Sequence, residues 1–211
     1  MKNRFLGIAE AVLTALVVLA GAIALPVLLR PFYFLHIGPL DIESVAELTA
    51  DQIKTAYNEM MDFCIGITDT FSAGVLPFSR EGASHFADVR RLFLLDLWVF
   101  VAAAVLLTVL KIAAGKSRCR LMGHTPGFWS AVGMTVTFVL IAALAAMDFD
   151  RAFTVFHKLF FPGKENWLFD PSQDPIILML PWEFFRNCAI LIFAAIVLCC
   201  GGLLLQDRRK K

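Results

Sequence analysis

The sequence lacks the catalytic signatures that a short motif can reveal. No HExxH, Gly-x-Ser-x-Gly, Walker-type Gly-Lys or dinucleotide-binding pattern occurs in its 211 residues. These absences give no support for a zinc protease, a nucleophile-elbow hydrolase or a nucleotide-dependent enzyme. The acidic residues are scattered without the spacing of metal ligands, so we predict neither a metal site nor a cofactor.

Cysteine is scarce, and its placement argues against a disulfide framework. The five cysteines form no CxxC motif, and no pair is evident on the oxidising, outer side of the expected membrane. Cys64 is expected outside, Cys119 inside, and Cys188, Cys199 and Cys200 in the last apolar run. Acylation near the end of that run is an alternative, but small apolar packing residues are the more common case.

Charge is almost absent from four long apolar runs, and hydrophobic residues make up 59% of the chain. Each run is about long enough to cross roughly 30 Å of hydrocarbon as a helix. We therefore predict an all-α integral membrane protein, a single membrane domain over residues 1–211, with transmembrane helices at about 5–29, 92–114, 128–147 and 184–205. The first run also imitates a signal peptide, but its apolar character continues through residues 25–29, which favours a retained anchor.

Positive charge flanks these runs on one side of the expected membrane. The basic residues there are Lys2, Arg4, Lys111, Lys116, Arg118, Arg120, Arg208, Arg209, Lys210 and Lys211. The positive-inside rule places that side, with both termini, in the cytoplasm. The loops between helices 1 and 2 and between helices 3 and 4, at 30–91 and 148–183, carry most of the acids, and we expect them to form an extracytoplasmic cap. The net charge of +1 gives no reason to expect nucleic acid as a partner.

The loop at 30–91 carries the pattern of an amphipathic helix. Thr49 to Gln52 matches a capping box, which satisfies free backbone donors at a helix start. Behind it, apolar residues recur at three- and four-residue spacing from Ile53 to Cys64. Such a stripe is typical of a packed core or of a face that rests on a membrane.

A second helix is predicted to begin at Ser79 or Ser84 and to continue into the second apolar run. His85 and Asp88 are three residues apart on that helix and share a face. A carboxylate there can fix the tautomer of the imidazole and stabilise its charged form. From spacing alone, a polar pair at a membrane boundary is the more common explanation.

The loop at 148–183 is rich in aromatic residues, which surround His157 at helical spacing. Some of these rings belong to the ordinary aromatic belt of a membrane interface. A lone histidine in such a place is usually structural, but a desolvated imidazole is also how a neutral base is prepared near pH 7.

Two stretches in these loops, GVLPFSREGASHFADVRRLF and FTVFHKLFFPGKENWLFDPSQDPIILMLPWEFF, carry a family resemblance. With the four-helix layout, they make the chain similar to the bacterial lipoprotein intramolecular transacylase family over nearly its whole length. The resemblance implies a cofactor-independent acyltransferase of the bacterial cell membrane with an extracytoplasmic active site. Its substrate is a lipoprotein whose N-terminal cysteine carries a diacylglyceryl group. The sn-2 acyl chain moves to the cysteine α-amine and gives the lyso-form.

The resemblance also implies that His157 and His85 are the catalytic residues. We expect His157 to act as the base and His85 to stabilise the oxyanion or assist proton transfer, although the two roles are interchangeable at this stage. The residues expected to contact the lipoprotein or membrane lipid are Phe153, Phe156, Phe160, Trp167, Trp182, Asp88 and Asp170.

Three alternatives remain open on the residues alone. A covalent acyl intermediate could form on Ser79, Ser84 or Cys64. The two outer histidines could instead ligate haem in a redox membrane protein. A non-enzymatic membrane scaffold is the third alternative, and without the resemblance it is as well supported as an enzyme.

Overall fold

The structure, a computed structural model, describes residues 2–114 and 120–209, with side chains from Arg4 onward in the first range. The predicted cytoplasmic residues Lys116, Arg118, Cys119, Lys210 and Lys211, and the side chain of Lys2, lie outside the described residues.

Helices make up most of the described chain, and no strand occurs in residues 2–114 and 120–209. The α-helices are α1 (Lys2–Leu28), α2 (Arg30–Phe34), α3 (Ile42–Ala46), α4 (Ala50–Cys64), α5 (Arg80–Ala114), α6 (Pro126–Met147), α7 (Phe149–Phe160) and α8 (Trp182–Arg209). A 3₁₀ helix, Pro175–Met179, precedes α8.

Four of these helices, α1, α5, α6 and α8, are long and apolar enough to cross a membrane. The prediction of an all-helical integral membrane protein with four transmembrane helices is therefore confirmed. The 35-residue α5 begins twelve residues before the expected span at 92–114. A helix of that length extends about 52 Å, so its polar first three turns are left over after hydrocarbon of about 30 Å is crossed.

By its contacts the chain divides into two compact units. The first unit comprises Met1–Leu25, Asp96–Met147 and Ile190–Lys211, and the second comprises Pro26–Leu95 and Asp148–Ala189. The second unit therefore combines most of the two loops predicted to form a cap.

Small side chains allow close helix contacts in the first unit. Gly21 of α1 lies so close to Phe100 of α5 that a Cβ there would stand 3.0 Å from the ring. The Ser130 hydroxyl of α6 donates a 2.6 Å hydrogen bond to the Ala11 carbonyl of α1. Asp207 of α8 accepts from the backbone N–H of Thr125 just before α6 at 2.7 Å, which satisfies a free donor at that helix start.

The second unit has its own core around α4, whose predicted capping box is present at Thr49 and Gln52. The stripe from Ile53 to Cys64 is buried in this core, as the first of its two interpretations predicted. The rings of Tyr33 and Tyr57 stack at 3.8 Å, and the Tyr33 hydroxyl donates to the Met179 carbonyl at 2.9 Å. These contacts join the two loops, because Tyr33 belongs to the first and Met179 to the second.

The start of α5 is fixed by Asp174, a buried carboxylate from the second loop. Its two oxygens accept hydrogen bonds of 2.7 Å from the backbone N–H and the hydroxyl of Ser79. The Ser79 hydroxyl in turn accepts from the backbone N–H of Gly82 at 2.9 Å, so Ser79 caps the helix, as one of the two predicted serines. A Cβ at Gly82 would lie 2.2 Å from an Asp174 oxygen, so a larger side chain there would displace the carboxylate that fixes the helix start.

Candidate active site

Two buried imidazoles lie close together in the second unit. His85 is in the second turn of α5, His157 is in the last turn of α7, and their ring centroids are 5.9 Å apart. Both are more than nine-tenths buried, with 6% and 7% of their surface exposed. Titratable rings that are removed from water and placed next to one another are typical of functional sites.

The His157 ring has a fixed tautomer. Its Nδ1 atom lies 2.8 Å from the Phe153 carbonyl oxygen, one helical turn earlier. Because a carbonyl only accepts, Nδ1 carries the proton and Nε2 keeps a free lone pair. Burial lowers the pKa of His157 below its usual value, although the bond to Phe153 acts in the opposite sense. The ring is therefore neutral at pH 7 and has the form of a base.

Aromatic rings enclose His157. Trp167 stacks on it at 4.7 Å, Phe153 lies at 4.2 Å, and Phe156 meets it edge-on at 5.4 Å. Phe161 contacts both imidazoles, at 5.7 Å from His157 and 5.0 Å from His85. The enclosure explains the burial of the two rings and keeps competing water away from them.

His85 has no such hydrogen bond on its own helix. Its Nδ1 atom and the Oδ1 atom of Asn166 are the buried side-chain polar atoms without a partner in the part of the chain that the structure describes. The Asn166 amide nitrogen lies 3.3 Å from Asp88 and 3.5 Å from the Ser84 hydroxyl, both of which accept from it. Asn166 also acts on His85, because its side chain raises the pKa of that imidazole. Neither of the two atoms has a hydrogen-bond partner of good geometry, so each can bond a bound molecule.

Asp88 anchors the second loop to α5. The Lys164 ammonium donates to both of its carboxylate oxygens at 2.6 Å, and Arg91 donates at 3.2 Å. No hydrogen bond joins Asp88 to His85 among the described residues, so the expected orienting contact is not made, although the charge of Asp88 raises the pKa of His85 against the larger, opposite effect of burial. The carboxylate holds Asn166 and Lys164, and the Trp167 indole in turn donates to the Lys164 carbonyl at 3.1 Å.

Three of the predicted contact residues lie away from the imidazole pair. Phe160 is 46% exposed and meets Phe156 but neither histidine. Trp182 contacts Phe149 and lies beneath the Arg186 guanidinium, at 4.9 Å. Asp170 accepts from the backbone N–H and hydroxyl of Ser172, which forms a local turn.

Sequence reasoning missed four residues that the fold brings to the imidazoles. Phe161 and Phe169 contact His85, at 5.0 and 5.5 Å, while Lys164 and Asn166 bind Asp88. The polar residues were signalled by their position, since Lys164, Glu165 and Asn166 interrupt an otherwise aromatic stretch.

The fold and this site define a class of protein: an all-helical integral membrane protein with a buried imidazole pair in an aromatic enclosure. The sequence profile of the lipoprotein intramolecular transacylase family matches residues 8–185. The chain therefore belongs to the lipoprotein intramolecular transacylase family, as its sequence resemblance predicted, and is a membrane-integral enzyme of lipoprotein maturation. Among curated proteins, no sequence matches the chain.

Solved structures agree with this assignment. The membrane integral lipoprotein intramolecular transacylase Lit from Bacillus cereus superposes with a TM-score of 0.91 at 26% identity, covering 99% of this chain and 95% of that chain. Two variants of the same protein, each with one histidine replaced, are also similar at 26% identity. The arginine variant has a TM-score of 0.80 and covers 100% of this chain and 95% of that chain. The alanine variant has a TM-score of 0.82 and covers 99% and 94%.

Proposed function

We propose that the chain moves the sn-2 acyl chain of a diacylglyceryl group to the α-amine of the N-terminal cysteine within one lipoprotein molecule. The product is the N-acyl, S-monoacylglyceryl form. The observation that carries the proposal is the pair of buried imidazoles, His85 and His157, whose centroids are 5.9 Å apart. The assignment to lipoprotein transacylases supplies the substrate class.

In this proposal His157 is the general base. Its Nε2 atom is free because Nδ1 donates to Phe153, and its lowered pKa keeps it neutral near pH 7. An α-amine has a pKa of about 8, so a useful fraction is already unprotonated, and the base is needed only as the N–C bond forms. Such positioned proton transfer contributes roughly 10²- to 10⁴-fold to a rate.

The reaction needs no cofactor in its balance of atoms. The amine nitrogen attacks the sn-2 ester carbonyl, and its proton passes to His157. The tetrahedral intermediate then loses the glyceryl oxygen, which takes a proton from the imidazolium and becomes a free hydroxyl. An ester becomes an amide, a favourable exchange that consumes no nucleotide.

The side chains of Asn166 and His85 match two substrate groups in this reaction, the attacking amine and the developing oxyanion. The Oδ1 atom of Asn166 only accepts hydrogen bonds, which matches an amine N–H donor. The Nδ1 atom of His85 is free to donate to the developing oxyanion, a kind of stabilisation that often dominates acyl transfer. Phe161, which contacts both imidazoles, limits the space and favours a bent substrate conformer.

We also propose that this site faces the extracytoplasmic side and that both termini are cytoplasmic. The distribution of Lys and Arg supports this orientation. The polar first turns of α5, which carry His85, would then lie at the depth of the lipid headgroups. Both the ester and the amine of an anchored lipoprotein are found there.

The geometry argues against a covalent intermediate. The Ser79 hydroxyl is engaged with Asp174 and Gly82 at the helix cap, and the Ser84 hydroxyl faces the Asn166 amide. Cys64 is 1% exposed in the core, and burial raises the pKa of its thiol to about 12, where little thiolate forms at pH 7. Full activity after replacement of all three residues would exclude this route.

The test is mass spectrometry of a diacylglyceryl peptide incubated with the purified protein. The wild-type protein should move one acyl chain to nitrogen without a change of mass, whereas His157→Ala and His85→Ala should form no lyso product. His36→Ala is a matched control, because the His36 Nδ1 atom also bonds a carbonyl one turn earlier, at 2.7 Å, yet has no imidazole partner in the described chain. Unchanged conversion by either site variant would sink the proposal.

Two further measurements separate the remaining alternatives. A haem protein would absorb visible light when purified, whereas the proposed enzyme is colourless. A scaffold would show no dependence of lipoprotein acylation on the two histidines, provided that circular dichroism shows the variants to be folded.

A further inference from the structure

The helix α7 presents three chemically different faces. The half-buried Phe153 and the buried His157, four residues apart, form the face at the imidazole site. Thr154 and Lys158, each one position further along, form a polar face that lines a pocket. Because positions four apart share a helix face, the pocket lies directly beside the catalytic face.

The third face of α7 is apolar and exposed. Val155, Phe156 and Leu159 are exposed by 57%, 47% and 70%. Together they form an uncovered stripe at helical spacing. The stripe begins eight residues after Met147, the last residue of α6, which is a helix apolar enough to span the membrane. The catalytic face therefore lies between an apolar face suited to lipid and a polar face suited to water.

The pocket on the polar face has a volume of about 700 Å³ and is open to solvent. Beyond α7 it is lined by residues 163–165, 167 and 168. Trp167 is shared with the active site, because the same indole stacks on His157 at 4.7 Å. A molecule in the pocket thus contacts a residue that contacts the proposed base.

We propose that this pocket binds the polypeptide that follows the modified cysteine of the lipoprotein substrate, an inference that rests on the proposed function. The substrate is an amphiphile, so its acyl chains and its peptide must leave the reacting atoms in different directions. The open pocket, which carries Thr154, Lys158 and Glu165, and the exposed apolar stripe lie on either side of His157 and provide two such directions. A volume of about 700 Å³ is within the range of pockets that bind small ligands, and a short peptide segment is a ligand of that size.

The charges of the pocket specify which peptides it prefers. The Lys164 ammonium is already neutralised by Asp88. Lys158 and Glu165 line the pocket, and neither has an ion-pair partner in the described part of the chain. Lys158 lies on the polar face of α7, next to His157, so it is placed to meet the residues that most closely follow the cysteine. An acidic side chain there would pair with Lys158, so the site should favour acidic over basic residues at these positions.

The lining is mixed, since Trp167 and Leu168 are apolar while Thr154, Lys158 and Glu165 are polar. A peptide suits this mixture better than an acyl chain, because an acyl chain would leave the three polar residues without hydration and without new partners. An anionic lipid headgroup would also suit a lysine, and it is distinguished from a peptide by the experiment below.

The experiment measures kcat/KM for three synthetic substrates in detergent micelles. One is the diacylglyceryl-cysteine amide without a peptide, and the others carry four further residues, either acidic or basic. The wild-type protein should prefer the acidic peptide over the basic one, and should convert both more efficiently than the peptide-free amide. Lys158→Glu should reverse the preference, with a change in the acidic-to-basic ratio of about five- to tenfold, the size expected when an exposed ion pair becomes a like-charge pair.

The matched control is Lys54→Glu, the same charge change on α4. Lys54 is 43% exposed and pairs only loosely with Asp51, at 3.6 Å. The Lys54→Glu variant should leave the acidic-to-basic ratio of kcat/KM unchanged. Lys158→Gln provides a milder variant, expected to abolish the preference without reversing it, and thermal unfolding shows whether each variant is folded.

The outcomes separate this inference from the proposed function. If the wild-type protein converts all three substrates but the ratio does not follow residue 158, the pocket does not bind the peptide. The inference also fails if Lys158→Glu changes only the response to added phosphatidylglycerol, because the occupant is then a lipid headgroup. If no substrate is converted by the wild-type protein, both proposals fall.

Discussion

The exchange of Asp88 for asparagine tests whether the ion pair with Lys164 positions the active site. Asp88→Asn keeps the shape of the side chain but removes the charge that receives two 2.6 Å hydrogen bonds from Lys164. The segment held by this contact carries Asn166 and Trp167, and Trp167 stacks on His157. Weakening the contact should therefore loosen the wall of the site without touching either imidazole.

The expected size follows from the geometry. A hydrogen bond to a charged group contributes about 1.5–3 kcal/mol. Because the Lys164 side chain is 43% exposed and water can replace part of its contact, we expect about 1–2 kcal/mol. If that loss falls on the reactive geometry, kcat/KM decreases by roughly five- to thirtyfold, since about 1.4 kcal/mol corresponds to a factor of ten.

The assay is the rate of acyl migration to nitrogen, followed by mass spectrometry, with thermal unfolding measured in parallel. Asp69→Asn is the matched control, because it makes the same chemical change in an ion pair with Arg90, at 2.8 Å, in which Asp69 is 98% exposed. Equal rates for the two variants would refute the reasoning. Complete inactivity of folded Asp88→Asn would also refute it, because Asp88 would then act in the chemistry itself.

Two further predictions concern ionisation and helix packing. Since burial lowers the pKa of His157, only the substrate amine ionises between pH 6.5 and 8, and a plot of log kcat/KM against pH should rise there with a slope of one. The slope should steepen to two only below pH 6.5, where His157 also takes up a proton. A slope of two at pH 7 would contradict this prediction. Gly82→Ala should destabilise the protein by about 1–3 kcal/mol, because its methyl group would meet the buried Asp174 carboxylate at 2.2 Å. Gly38→Ala, where a Cβ meets nothing within 4 Å, should not, and equal melting temperatures would contradict the packing argument.

The helical membrane fold could be predicted because its signals are local. Apolar runs of about twenty residues, a capping box at Thr49 and the stripe behind it are each contained in one stretch of sequence. The side chains that form the site, by contrast, come from distant stretches of sequence. Lys164 and Asn166 are 76 and 78 residues from Asp88, and no periodicity relates positions so far apart. The pairing of His85 with His157 was expected from the family resemblance and not from the residues themselves.

The end of α7 shows why individual site residues were harder to predict. Both Phe160 and Phe161 follow His157 closely, and only Phe160 was expected to contact the substrate. The helix α7 ends at Phe160, and Phe161 leaves the helical conformation with a φ of −125°. This turn takes the Phe161 ring to the imidazoles, while Phe160 stays on the exposed side. Trp182 and Asp170 were expected to contact the substrate because they lie in the stretch that carries the family resemblance. Their contacts are instead with Phe149 and Arg186 and with Ser172, which the sequence did not indicate.

The hydrogen bond from His157 to Phe153 lies within one helix, four residues apart. Any displacement of α7 therefore carries the imidazole, its protonated nitrogen and the Phe153 ring together. The tautomer of His157 is therefore set by its own helix and does not depend on where α7 lies against its neighbours.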